Sequence, residues 1–502
     1  MNLRTLLRRK PLDFTLRETR EGPRLRRTLG AGDLTLFGIG AIIGTGIFVL
    51  TGVGAARYAG PGIVLSFLVS GTVAALAALS YAELASMLPI AGSVYTYAYT
   101  ALGEIIAWVI GWDLILEYVV AASAVAIGWS SYLRDLLASA GLELPRWATS
   151  PLVGPAGEPH GLNLPAMAVA AAITWLLVRG TQQGERVNDL VVLVKLAVIG
   201  VFLGAGLFHA RIRHWQPFLP YGVTGIFRGA AIIFFAYIGF DAVSTAAEEV
   251  KDPARDLPRG ILASLGVSTL LYVAVSALLT LLVPYDRLDT ASPVASALLD
   301  VGVRWGAAAV SVGALAGLTS VLLVDIFGQS RIFFAMARDG LLPESFAQVH
   351  PRYRTPYRVT ILTGLAVAAL GGLLPVSDVA QLANIGTLAA FFLVSLGVIV
   401  LRLGTLAAFF LVSLGVIVLR RRHPEWKRPF RVPAVPWLPG LAAASSLWLA
   451  TNLPRLTWIV FTSWLLLGLV LYFLYGRRHS RLAREEAAPG RGREPEPVRP
   501  AP

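Results

Sequence analysis

Long apolar stretches alternate along this chain with short polar segments, many of them basic. Stretches able to cross ~30 Å of hydrocarbon fall at about 34–56, 62–88, 105–133, 164–179, 189–209, 222–247, 260–283, 306–336, 359–375, 378–402, 434–452 and 456–476. The pattern predicts an all-α polytopic membrane protein of about twelve spans. The fourth span, which contains Pro165, is short. The segments rich in Arg and Lys are 1–32, 179–186, 251–259, 338–358, 420–431 and the tail from 477, and in a twelve-span bundle all lie on one side. The opposite loops (57–61, 134–163, 210–221, 284–305) carry fewer basic residues and more Pro and Trp. The positive-inside rule then places both termini in the cytoplasm of a multi-pass plasma-membrane protein. The expected divisions are a cytoplasmic segment 1–32, spans one to five over 33–209, spans six to ten over 222–420, spans eleven and twelve over 432–476, and a disordered cytoplasmic tail 477–502.

Two spans do not read as plain lipid-crossing helices. The first carries Gly38-Ile39-Gly40-Ala41-Ile42-Ile43-Gly44-Thr45-Gly46-Ile47-Phe48. Glycine costs ~1 kcal/mol against alanine inside a helix, so a concentration of it points to unwound backbone lining a cavity. Close packing of helices through small residues is the competing reading. The sixth span carries a second interruption, Phe234-Phe235-Ala236-Tyr237-Ile238-Gly239-Phe240-Asp241. Interrupted segments at corresponding positions of two five-helix halves point to the binding site of an inverted-repeat transporter.

A second repeat is of another kind. Residues 386–402, GTLAAFFLVSLGVIVLR, recur identically at 404–420. One continuous helix over 378–420 would be ~65 Å long, about twice the membrane core. A full extra span would place the basic segment 421–431 on the wrong side. One copy is expected to serve as span ten and the other to be a misfit, from a recent duplication or an error of sequence assembly.

Composition narrows the function. The 502 residues are 56% hydrophobic and 15% charged, with no cysteine. Thiol catalysis, disulfides and thiolate metal sites are thereby excluded. Six histidines show no metal-ligand spacing, so neither a metal nor another cofactor is expected. The net charge of +13 resides mainly in loops and tails, where it marks topology and not nucleic-acid binding. No cleavable signal segment is read at the N-terminus. An enzyme is not expected, because no catalytic constellation is visible. A non-transporting amino acid sensor is disfavoured by the lack of a soluble signalling domain.

Four long motifs carry a family resemblance across nearly the whole chain. They are GIGAIIGTGIF, YAELASMLPIAGSVYTYAYTALGE (81–104), FFAYIGFDAVSTAAEEVKDPARDLPRGI (234–261) and GQSRIFFAMARDGLLP (328–343). Together they resemble the amino acid–polyamine–organocation superfamily, and within it bacterial members of the cationic amino acid transporter family. The resemblance implies a LeuT-like five-plus-five inverted repeat, with spans one and six broken, plus two extra helices. It further implies amino acid transport driven by protons or by exchange, without sodium. A small accessory membrane helix is a further candidate partner, beside the substrate and the bilayer. The family has one GTLAAFF segment, so the duplication is a departure.

The residues divide the substrate between two breaks. In span one, Ile42, Gly44, Thr45 and Gly46 offer backbone groups, with N–H donors for the carboxylate and a helix-end dipole to match. In span six, carbonyls near Phe235, Ala236 and Ile238 offer acceptors for the α-ammonium. Intramembrane charges are the other signal, since each costs ~2.5–3.5 kcal/mol on insertion scales. Asp113 and Glu117 lie one turn apart in span three; Glu117 is a candidate for proton uptake or for the substrate amine. Asp241 is expected to cap the second half-helix and orient substrate. Lys195, in span five, occupies the region where sodium-coupled relatives of this fold hold a cation near paired hydroxyls, here Thr319 and Ser320. A static pin and a proton-linked role are both open for Lys195. Asp325, in span eight, either pairs with Lys195 or Arg331 or attracts cationic side chains. Glu248 and Glu249 are expected to pair with Lys251, Arg255 or Arg259.

Overall fold

In a computed structural model, the described residues are 8–11, 27–44, 46–90, 93–139, 141–150, 161–290, 292–373, 407–451 and 455–487. Among them the structure is helical throughout, with a single isolated parallel bridge between Leu29 and Val250. Five helical stretches are long and apolar enough to cross a membrane, and several shorter apolar helices accompany them.

The chain enters through α1 (Ala31–Ile42), which stops at an extended Ile43, and helical structure resumes at Gly46–Leu50 (α2). Then follow α3 (Ile63–Met87), α4 (Val94–Ala101), α5 (Glu104–Ser139) and α6 (Leu164–Arg179). The short α6 has firm local ends. The Asn163 side chain accepts from the Ala166 N–H at 3.2 Å, Pro165 sits in the first turn, and Gly180 at φ +144° ends the helix. Next come α7 (Thr181–Leu207), α8 (Gly222–Ile233), a tight turn at Phe234–Tyr237, and the short α9 (Ala242–Thr245). The second half continues with α10 (Pro253–Leu282), α11 (Arg304–Arg338) and α12 (Tyr357–Leu373). Helix α13 covers 407–422, then α14 (Trp437–Thr451) and α15 (Arg455–Leu471) complete the bundle.

Of the duplicated segment, the second copy forms α13. It packs Phe409 against Tyr81, Phe234 and Phe240, and buries Val412, Val416 and Leu419. The first copy lies outside the described residues. At its far end α13 is tied down by Glu83, a residue the sequence did not single out. The buried Glu83 carboxylate accepts from Arg420 Nη2 at 2.6 Å and from the Val432 N–H at 2.6 Å.

The basic segments meet at one end of the bundle. Thr28 and Leu29 donate backbone hydrogen bonds to the Glu249 carbonyl at 2.9 and 3.0 Å, and Lys10 pairs with Asp339. The buried Ser480 hydroxyl donates to Glu104 Oε2 at 2.6 Å, and the Arg481 N–H to the Asp339 carbonyl at 3.0 Å. Where it is described, up to residue 487, the C-terminal tail expected to be disordered packs on the bundle, as do the described residues of the N-terminal segment. Lys10 is buried, and the C-terminal segment is helical over Arg477–His479 and Arg481–Ala487. Burying Leu482 and Ser480 against the bundle gives those residues the contacts that isolated short helices lack.

Candidate functional site

The two interruptions lie against each other. A Cβ built on Gly46 would stand 2.4 Å from the Ala236 Cβ, and one on Gly239 would stand 2.9 Å from the Ala41 backbone. Gly239 is also at φ +116°, which side chains rarely adopt. The other glycines of the run are contacts as well. Gly38 faces Ser264 of α10, Gly40 faces Asn188 of α7, and Gly44 faces Val321 of α11. Broken backbone and small-residue packing were posed as alternatives; the run does both, because an unwound segment must be walled in by close neighbours to survive away from water.

Tyr272 of α10, unremarked in the sequence, joins the breaks. Its hydroxyl stands 2.6 Å from the Ile42 carbonyl and 2.7 Å from the Ala236 carbonyl, and donates its proton between them. The Ala236 carbonyl, expected to be without a partner, is therefore satisfied in this state. A tyrosine inside an apolar helix is the only sequence signal for it, and a weak one. Of the other backbone candidates, the Gly44 carbonyl accepts from the Phe48 N–H at 3.4 Å, and Ile238 is half-buried beside Gly239. Thr45 and the Phe235 side chain lie outside the described residues.

Asp241 does not cap α9 with its side chain. It turns back across the break instead: Oδ1 accepts from the Gly239 N–H at 3.2 Å and Oδ2 from the Tyr118 hydroxyl at 3.3 Å. Glu117, the residue before Tyr118 in α5, is buried as well. Asp113, a turn below Glu117, is buried, and its Oδ1 has no hydrogen-bond partner among the described residues.

Lys195 stands apart from these acids, on the other side of the first break. It is 0% exposed. Its Nζ donates to the carbonyls of Ile39, Gly40 and Ile43 at 3.2, 3.0 and 2.7 Å, and to Ser320 Oγ at 2.7 Å. One ammonium thus joins α7, the end of α1 and α11. Thr319 does not take part: its hydroxyl accepts from Trp129 Nε1 at 2.9 Å. The helix turns Thr319 and Ser320 to different sides, about 100° apart.

Asp325 pairs with neither of the cations considered for it. Arg331 gives Nη2 to Glu249 Oε1 at 2.8 Å and lies over the Phe327 ring, and Lys195 is held as described. The Asp325 carboxylate is 8% exposed, and its Oδ2 has no hydrogen-bond partner among the described residues. Glu248 and Glu249 also differ from expectation. Their partners are Arg338 and Arg331 of α11, at 2.9 and 2.8 Å, and not the basic residues that follow them in the chain. These buried pairs tie the turn after α9 to α11.

The comparisons agree with this architecture. A family model described as amino acid permease matches residues 29–483. A methylthioribose transporter of Bacillus subtilis (strain 168) is 47% identical over 480 residues, covering 95% of this chain and 99% of that protein. A branched-chain amino acid permease of the same organism is also 47% identical, over 479 residues and the same shares. A vacuolar cationic amino acid transporter 4 of Arabidopsis thaliana is 39% identical over 411 residues, 80% of this chain and 67% of its own. These relatives are named as transporters and a permease, and the several apolar helices make this chain a multi-pass membrane protein. The chain belongs to the amino acid permease family of the amino acid–polyamine–organocation superfamily.

Proposed function

We propose that this permease is a sodium-independent, proton-coupled symporter of L-α-amino acids, working by alternating access between two five-helix halves in the plasma membrane with both termini cytoplasmic. The observation that carries the reading is Lys195. Its ammonium already has the oxygen ligands that a coupling cation at the α1 break would need, and a second cation beside it would be repelled. Coupling then falls to protons, with Glu117 as the first candidate carrier. The substrate carboxylate is assigned to the N–H groups at Gly44, Thr45 and Gly46, and the α-ammonium to the span-six break and Asp241.

Substrate choice rests on Asp325. The relatives' names divide among branched-chain, methylthioribose and cationic cargo, so the family alone does not decide it. A buried carboxylate with no cation partner among the described residues favours a guanidinium or ammonium and disfavours an acidic side chain. The reading is therefore a preference for arginine, lysine or ornithine. Replacing Asp325 by Asn should weaken competition by arginine more than by alanine; equal losses would sink the assignment.

Purified protein in proteoliposomes tests the coupling. Uptake into empty vesicles should follow an inward proton gradient and be the same in sodium and in choline. Uptake only into vesicles preloaded with amino acid would instead make the protein an exchanger.

A further inference from the structure

Helices α5 and α11 run antiparallel along a seam whose register is set by three contacts: Gly111 against Met336, Tyr118 beside Gly328, and Gly128 against Leu318. Most buried polar atoms of α11 are satisfied. Thr319 takes Trp129, Ser320 takes Lys195, the Ser330 hydroxyl donates to the Phe327 carbonyl at 2.7 Å, and Arg331 and Arg338 hold their glutamates. Two side chains that hold no ion pair stand out. One is Asp325. The other is Gln329, 0% exposed, whose Oε1 and Nε2 both lack a hydrogen-bond partner among the described residues. A buried amide with neither polar atom paired to a described protein group calls for a partner of another kind.

The helix geometry says where these two groups lie. Gln329 follows Leu318 by eleven residues and precedes Met336 by seven. At about 100° per residue it falls within about 20° of both, on the stripe that faces α5. Asp325, seven residues after Leu318, falls on the same stripe. Gln329 is one turn, about 6 Å, further from the α1 break than Asp325, since that break meets α11 at Val321.

We infer that Gln329 is the outer half of a guanidinium site, with Asp325 as its inner half. This inference rests on the cationic reading of Asp325. An amino acid anchored by its backbone groups at the two breaks sends its side chain past Val321 to Asp325. A guanidinium carries a planar fork of five donors, more than one carboxylate edge can use. The Gln329 carbonyl, one turn on, accepts from the far nitrogen of the fork. Ornithine ends two bonds short of arginine's terminal nitrogens, so it meets Asp325 and not Gln329. Alanine meets neither. Gln329 is thus the residue that separates arginine from shorter cationic amino acids.

The test is competition against labelled alanine uptake in proteoliposomes by unlabelled arginine, ornithine, glutamate and alanine. Each inhibitory concentration is taken as a ratio to that of alanine in the same protein, which removes any difference in folded fraction. Gln329→Leu should worsen the arginine ratio about tenfold, the loss of one hydrogen bond to a charged group, and hold the ornithine ratio within about twofold. Asp325→Asn should worsen both ratios. Gln329→Glu, which keeps an acceptor, should preserve the arginine ratio. If Asp325→Asn acts as expected while Gln329→Leu moves the arginine and ornithine ratios alike, or neither, the Gln329 assignment is overturned and Asp325 stands. A rise in the arginine ratio in Gln329→Glu also overturns it. If arginine and ornithine compete no better than glutamate in the unaltered protein, the reading of Asp325 fails and this one with it.

Discussion

Replacing Lys195 by methionine removes the ammonium at the α1 break and keeps most of the side-chain volume. The cost follows from what each partner retains. The Ile39 carbonyl still accepts from the Ile43 N–H at 3.0 Å, and the Gly40 carbonyl keeps a share of the Ser320 hydroxyl proton at 3.0 Å, with the Gly317 carbonyl at 2.8 Å. Only the Ile43 carbonyl loses its donor outright among the described residues. A stranded buried acceptor costs about 1–3 kcal/mol. Against that stands the desolvation of a fully buried ammonium, a penalty of several kcal/mol that methionine lifts. The opposed terms are of similar size, so Lys195→Met should change folding stability by no more than about 2 kcal/mol in either direction. Transport should nonetheless fall at least about tenfold, because the tie among α7, α1 and α11 is gone while each helix remains folded. Lys195→Ala goes further and leaves a space bordered by oxygens, the ligand set that coordinates sodium at broken helices. Thermal unfolding in detergent, followed by tryptophan fluorescence with sodium or choline, should show sodium stabilising Lys195→Ala and leaving the unaltered protein unchanged. Wild-type rates of uptake in Lys195→Met, or sodium stimulation of the unaltered protein, would refute the reasoning.

Other contacts yield sharper structural outcomes. Gly239→Ala drives a Cβ into the Ala41 backbone from a φ of +116°, so it should lower stability by about 1–3 kcal/mol and abolish uptake; unaltered melting would show the breaks are further apart than described. Tyr272→Phe leaves the Ile42 and Ala236 carbonyls without their shared donor. It should raise KM for all amino acids by a similar factor, with about 1 kcal/mol of destabilisation; a change confined to one substrate class would argue against a backbone role. Arg331→Met strands the fully buried Glu249 and should cost about 3–5 kcal/mol. The double variant Arg331→Met, Glu249→Gln should recover much of that loss in a thermal-shift assay, and no recovery would mean that the pair is not an isolated unit.

Much of this molecule is legible without coordinates because a membrane leaves few choices. Apolar stretches must be helices, since unpaired backbone is too costly in hydrocarbon, and basic loops sort to one side; in the structure those basic segments gather at one end of the bundle. The glycine run and the Phe234–Asp241 segment announce themselves because they violate the helical rule that the rest of the chain obeys. A lysine and four carboxylates stand out for the same reason. Partners are what the sequence leaves open. Nothing local says that Glu249 meets Arg331, 82 positions away, instead of Arg255 nearby, or that Asp241 folds back to Gly239 and Tyr118 instead of capping α9. The second copy of the duplicated segment becomes α13 because its Phe409 finds Tyr81 and Phe240 and its Arg420 finds Glu83; the two copies are identical, so only their neighbours distinguish them. Tyr272 and Gln329 carry no signal in the sequence, because a lone tyrosine or glutamine in an apolar helix is unremarkable until its surroundings are known. Charge and periodicity act along the chain and determine which segments enter the membrane and which residues are costly there. Hydrogen bonds and close packing act at a few ångströms across it, so which of those costly residues are satisfied, and which are left to a substrate, is decided only when the helices come together.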